Sequence, residues 1–162
     1  MKKQHRSYGF TLIELLVVIA LLGFMSVLGL SMFQGSQKRA RDNRRKTDLV
    51  QLTKALEMYA NDYGYPASTG GKIIGCTGTP PTACEWGSAW VRGVTYMQRL
   101  PKDPVSGNSY CYELGGLGKW YKLYAKLEGT DDPDYNAGLS CTGLTTYTYI
   151  LLSPNITPTP KP

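Results

Sequence analysis

The stretch YGFTLIELLVVIALLGFMSVLGLSMF, residues 8–33, organises everything that follows it. From Phe10 to Phe33 it runs 24 residues with a single carboxylate, Glu14. A helix rising about 1.5 Å per residue needs roughly 20 residues to cross a bilayer core, so the segment is long enough to span. A secretory signal has a shorter apolar stretch, about 7 to 15 residues, followed by its small-residue cleavage site. Here the small residue, Gly9, stands before the apolar run. A buried core helix is normally shorter than this run and flanked by domain sequence on both sides. A plain single-pass anchor accounts for the length but leaves Glu14 unexplained, because a carboxylate in hydrocarbon is costly unless neutralised or paired.

Lys2, Lys3 and Arg6 precede Gly9-Phe10-Thr11-Leu12-Ile13-Glu14, and Leu15 to Leu22 continues the apolar helix. This ordered combination resembles the class III signal of type IV pilins and type II secretion pseudopilins. The resemblance implies that a membrane-bound prepilin peptidase cuts between Gly9 and Phe10 and methylates the new N-terminus. It further implies that Glu14 pairs with the N-terminal amine of a neighbouring subunit, so that Phe10 and Glu14 carry assembly. The implied partners are other copies of the chain in a helical homopolymer, an inner-membrane assembly platform, minor pilins, and membrane lipid before assembly. The implied location is the inner or cytoplasmic membrane with the C-terminal domain extracytoplasmic, then a periplasmic or surface filament.

No proline interrupts the chain between residue 10 and Pro66, and Gly64 followed by Tyr65-Pro66 is a helix stop. Leu49, Leu52, Leu56, Tyr59 and Tyr63 recur at helical spacing and define the face expected against a domain. Arg41, Arg44, Arg45, Lys46 and Lys54 are expected mostly elsewhere, on a solvated or intersubunit surface. Ser31 stands where many members of the resembled family have proline, and Gly23, Gly29 and Gly35, which weaken the helix locally, are candidates for the unwinding that proline otherwise allows.

After Pro66 the composition shifts to Gly, Thr, Tyr and Pro. Tyr110–Leu114, Trp120–Leu127 and Tyr147–Leu152 read as strands, while Trp86–Tyr96 reads as loop or short helix. In the middle strand Tyr121, Leu123, Ala125 and Leu127 share a face opposite Lys122 and Lys126. The expected fold is α+β: a long N-terminal helix whose second half packs on a small antiparallel β-meander, type IV pilin-like. The expected divisions are a leader (1–9), a transmembrane and assembly helix (10–33), its amphipathic continuation (34–63), a globular domain (64–153) and a Pro/Thr-rich tail (154–162). Asp48-Leu49 to Tyr59, Asp62–Pro66, Leu100–Pro104 and Gly107–Tyr110 resemble the major pseudopilin of type II secretion, with departures at Val105, Ser106 and Ser109. Pro101–Pro104 is expected to be a rigid turn.

Cys76, Cys84, Cys111 and Cys141 form no CxxC knuckle, and the one histidine, His5, lies in the leader. Disulfides formed in an oxidising compartment are therefore expected rather than a zinc site. Of three possible pairings, Cys76–Cys84 with Cys111–Cys141 is preferred because the first closes a short proline-containing loop. Asp131, Asp132, Asp134 and Asn136 gather hard oxygen donors, a candidate calcium loop. It lacks the EF-hand pattern, since Pro133 intervenes and no glutamate closes it, so a solvated acidic loop is the stronger reading. The resemblance adds weight to calcium, because major pseudopilins bind it in a loop after the corresponding strand. No other cofactor is expected.

The net charge of +6 falls to +3 without Lys2, Lys3 and Arg6, so no nucleic-acid partner is expected. Without histidine after the leader, and without a nucleophile elbow or phosphate loop, the chain is not expected to be an enzyme. The expected function is a structural subunit of a type IV pilus-like filament, foremost a major pseudopilin of type II secretion. The alternatives are a type IV pilin of a surface fibre and, further off, a non-polymerising anchored binding module. Lys38, Arg39, Arg41, Arg44, Arg45 and Lys46 outnumber the three basic leader residues. They oppose the expected orientation under the positive-inside rule.

Overall fold

A computed structural model describes residues 9–156, without the side chains of 28–32 and 144–145. Most of the leader and the tail from 157 onward lie outside the described residues. The chain divides into two compact units, Met1–Lys38 and Arg39–Pro162. Helix α1 (Leu12–Tyr63) forms the regular structure described in the first unit and opens the second. It is assigned as helix through Gly23, Gly29, Ser31 and Gly35, so none of these interrupts it.

The transmembrane assignment of 10–33 does not follow from the described residues, among which no helix is long and apolar enough to cross a membrane. Apolar side chains are described continuously only over the stretch Leu12–Val27, shorter than the roughly 20 residues a bilayer core requires.

In the second unit the predicted stripe buries Leu49, Leu52, Leu56 and Tyr59 almost completely, and truncating one such leucine to alanine costs about 2–5 kcal/mol. Tyr63, the last of the series, is instead half exposed, and the Arg92 guanidinium lies 4.1 Å from its ring centre. The helix stops where expected: the Gly64 amide donates to the Ala60 carbonyl at 2.9 Å, and Gly64 adopts φ +76°, a left-handed turn that favours glycine.

Ten short strands follow. β1 (Ala67–Thr69), β2 (Lys72–Cys76) and β3 (Thr82–Ala83) make one antiparallel sheet, and β4 (Trp90–Arg92) pairs with β5 (Val94–Met97). Residues 86–89 are turn and loop, as the loop reading expected, but from Trp90 onward the region is a β-hairpin rather than loop or short helix. Trp90 explains the difference: its ring is fully buried against Tyr59 and its Nε1 donates to the Gly75 carbonyl at 3.0 Å, which fixes β4 beside β2.

The main sheet contains β6 (Cys111–Gly115), β7 (Trp120–Ala125) and β10 (Tyr149–Leu152), with β7 central. Between β7 and β10 the chain inserts a hairpin of β8 (Leu139–Cys141) and β9 (Leu144–Tyr147). The expected single strand Tyr147–Leu152 is therefore divided at Thr148, whose amide donates to the Ala125 carbonyl at 3.0 Å. One face of the main sheet, with Tyr112, Tyr121, Leu123 and Ala125, joins the helix stripe in the core. On the opposite face Cys111 and Tyr124 are covered by Cys141 and Tyr147 of the inserted hairpin.

Candidate functional site

Helix α1 starts with a reciprocal cap. The Glu14 amide donates to Thr11 Oγ1 at 3.3 Å, while the Thr11 amide and hydroxyl donate to Glu14 Oε2 at 3.3 and 3.2 Å. This is the capping box, in which residues three apart satisfy each other's orphan groups, and the carboxylate also faces the positive end of the helix dipole. The signal Thr-x-x-Glu was present in the sequence but overshadowed by the question of charge in an apolar run. Gly9 and Phe10 precede the helix as exposed chain, and among the described residues, chain neighbours aside, no atom lies within 4 Å of the position a Gly9 side chain would occupy.

The large apolar residues of the described stretch 10–27 are all exposed in the single chain, from 46% at Val18 to 83% at Phe10. Thr11, Glu14 and Ser26 are the polar side chains in the described stretch 10–27, and the Ser26 hydroxyl is turned back onto the Leu22 carbonyl at 2.8 Å. A surface this continuous marks an interaction site for protein or lipid.

Of the basic residues expected on a solvated surface, Arg44 and Lys54 are exposed, but Arg41 and Lys46 are half-buried and Arg45 is not at the surface at all. Arg45 is completely buried, with Nε and NH2 forked onto Asp103 at 2.8 Å each and NH1 bonded to Asp42 at 2.7 Å and Glu128 at 2.8 Å. Burial alone would lower the Arg45 pKa, but its hydrogen bonds to Asp103, Glu128 and Asp42 outweigh that and raise it. Arg41 holds Glu128 from the other side at 2.8 and 2.5 Å. The Arg41 hydrogen bond foremost, with help from Arg45 and against the opposing effect of burial, pulls the Glu128 carboxyl down to about 2. Asp42 also accepts the backbone amides of Glu128 and Gly129. Asp103 occupies the turn Pro101–Pro104, where its Oδ1 also accepts the Val105 amide at 2.8 Å. The turn therefore carries a buried carboxylate to the helix, a role its proline pattern did not disclose.

Every carboxylate of the helix from residue 39 onward is similarly engaged. Beyond Asp42, Asp48 accepts from Tyr110, Glu57 from Tyr65 and Tyr121, and Asp62 from Tyr96. Among the described residues no buried side-chain polar atom lacks a hydrogen-bond partner.

The four candidate calcium ligands do not converge on a common point. Lys46 Nζ donates to Asp132 Oδ1 at 2.6 Å and Asp134 Oδ2 at 2.7 Å, and Asp131 pairs with Arg39 at 3.1 Å. The backbone amide of Asn136 donates to the Thr148 carbonyl at 2.7 Å. A cleft of about 270 Å³ lies beside the loop, lined by Arg39, Asp42, Asn43 and residues 129–133 in part, but its acids are those already paired. Among the described residues no group of three or more His, Cys, Asp or Glu could hold a metal ion. The donor set of the loop therefore does not fit a calcium ion.

Both disulfides occur in the preferred pairing, Cys76–Cys84 and Cys111–Cys141, with Cα separations of 5.3 and 6.5 Å. The first closes the β2–β3 loop. The second attaches the inserted hairpin to the outer face of the main sheet.

Comparison with known proteins bears on both units. Residues 4–30 match the prokaryotic N-terminal methylation motif, and residues 32–138 match type II secretion system protein G. The chain is similar to the type II secretion system core protein G of Escherichia coli strain K12, with 30% identity over 146 residues, covering 86% of this chain and 97% of that protein. The protein of that name from Vibrio cholerae serotype O1 is 37% identical over 113 residues, 69% of this chain and 74% of its own. That from Pseudomonas aeruginosa is 31% identical over 143 residues, 85% and 97% respectively. No solved structure matches the chain.

Proposed function

Because the chain belongs to the type II secretion system protein G family, we propose that it is the major pseudopilin of a type II secretion system, a structural subunit and not an enzyme. Prepilin peptidase cuts after Gly9, Phe10 becomes the methylated first residue, and the segment 10–33 holds the subunit in the inner membrane with its domain on the periplasmic side. Copies of the chain then pack through this segment into a filament raised from an inner-membrane platform.

The observation that carries this reading is Glu14, the one carboxylate in an otherwise continuous exposed apolar surface, five residues beyond an open Gly9. Its internal partner, Thr11, offers hydrogen bonds but no positive charge. In lipid that leaves an anion seeking a cation, and the N-terminal amine of a neighbouring subunit supplies one. Their attraction is several times stronger in a dry helical bundle than in water.

The cap makes a sharper test than deletion of the acid alone. Glu14→Gln retains an acceptor for the Thr11 amide and removes the charge, whereas Glu14→Ala removes both. Expected for both variants is normal membrane insertion with loss of filaments and of secretion. Filaments from Glu14→Gln at wild-type level would refute charge pairing as the assembly signal. Electron microscopy of whole cells separates the secretion filament from a surface pilus, since long external fibres from the native operon would favour the latter.

A further inference from the structure

We propose that Lys46 is a built-in cation for the acidic loop, doing with a side-chain ammonium what a bound divalent ion would otherwise do, so that the loop closes without calcium. The inference does not rest on the filament reading.

The observation is the convergence of two loop carboxylates on one helix residue. Asp132 Oδ1 and Asp134 Oδ2 stand 2.6 and 2.7 Å from Lys46 Nζ, and the ring of Tyr149 lies beneath the same ammonium at 5.5 Å from its centre. The Lys46 and Asp132 side chains are only 23% and 18% exposed, so water screens their contact poorly. Asp132 Oδ1 also accepts the Asp134 amide at 2.9 Å, which fixes the turn that presents both acids. A calcium ion requires six to eight oxygen ligands, whereas an ammonium has three donors and is saturated by a few. Two carboxylates and an aromatic face match the smaller demand.

The remaining acids nearby cannot complete a metal shell without breaking other bonds. Asp131 is turned to Arg39, Glu128 is held by Arg41 and Arg45, and Asp42 is shared between Arg45 and the backbone amides of Glu128 and Gly129. Each loop acid thus answers to a basic residue of α1 between Arg39 and Lys46. The loop is fastened to the helix by charges that belong to the chain itself.

Removing Lys46 should loosen the loop, because Asp132 and Asp134 then face each other without a positive partner. The test is thermal unfolding of the full chain in detergent micelles, in EDTA and with millimolar calcium chloride. The wild type should melt at the same temperature in both. Lys46→Met should melt several degrees lower than the wild type in both conditions, since two carboxylates do not complete a calcium shell. Lys46→Arg should stay close to wild type in either condition.

A saturable rise of several degrees in the wild type with calcium would overturn the proposal. Lys46→Met that melts like wild type in EDTA, or that calcium restores to the wild-type melting temperature, would overturn it equally. Should Lys46→Met fail to accumulate, calorimetric titration of the wild-type chain decides. Absence of calcium binding up to millimolar concentration supports the built-in cation, and a measurable submillimolar dissociation constant refutes it.

Discussion

Arg45 and Asp103 meet through a two-bond fork, Nε to Oδ2 and NH2 to Oδ1 at 2.8 Å each, although 58 residues separate them in the chain. Both side chains are removed from solvent. A buried pair of this kind is weak evidence for net stability against an apolar replacement, but breaking it from one side strands a charge. Arg45→Met, which leaves Asp42, Asp103 and Glu128 facing one another, is expected to cost about 3–5 kcal/mol. Urea unfolding of the variant measures it, and a loss under about 1 kcal/mol would place the cluster among ordinary surface pairs.

Glu128 makes the same cluster sensitive to acid. Its folded pKa of about 2 lies below the ordinary carboxyl value of 4.5, so the folded state favours the ionised form. The resulting stability is present above the unfolded pKa and is lost as pH falls from roughly 5 toward 2. Glu128→Gln is expected to flatten the melting temperature across that window while lowering it at neutral pH. An unchanged acid limb would show that other carboxyls govern it.

At the helix start, Thr11→Val removes the hydroxyl that accepts the Glu14 amide. The expected loss is about 1 kcal/mol of first-turn stability, and Thr11→Ser should retain most of it. Amide hydrogen exchange at Leu12 to Leu15 reads this directly, independently of any effect on filaments.

The two disulfides should differ in weight. Cys111–Cys141 spans 30 residues and Cys76–Cys84 only 8, so the longer closure restrains the unfolded chain more. The chain-entropy account gives about 3–4 kcal/mol for the longer bond. Paired Cys→Ala substitutions at 111 and 141 should therefore lower the melting temperature more than those at 76 and 84. The former should also release the β8–β9 hairpin to protease.

What was legible in the sequence was local and periodic. The helix stripe through Tyr59, the stop at Gly64 and the buried face of β7 all follow from patterns a few residues long, whereas the pairing of Cys111 with Cys141, 30 residues apart, was only what remained once Cys76–Cys84 was preferred. Three strands of the main sheet were visible for the same reason. The β4–β5 hairpin was not, because three- and four-residue strands show too little alternation and a single buried Trp90 fixes the register. Arg45 was misplaced on the surface because two of its three carboxylate partners lie 58 and 83 residues downstream, where no spacing rule reaches. Lys46 and its acids were hidden likewise, and Asp103 was concealed inside what looked like a turn of prolines.

The long reach of these ion pairs also fixes an order in time. A chain made from its N-terminus presents Arg39 to Lys46 before Asp103 exists, and well before Glu128, Asp132 and Asp134, which lie 83 to 88 residues beyond their partners Arg45 and Lys46. During that interval Asp42 and Asp48 are the acids available within the cluster. The positive charge of Arg39 to Lys46 is therefore only partly offset on the nascent chain and is largely paired once the domain closes over it. Folding of the domain is thus also the step that neutralises this block of the helix.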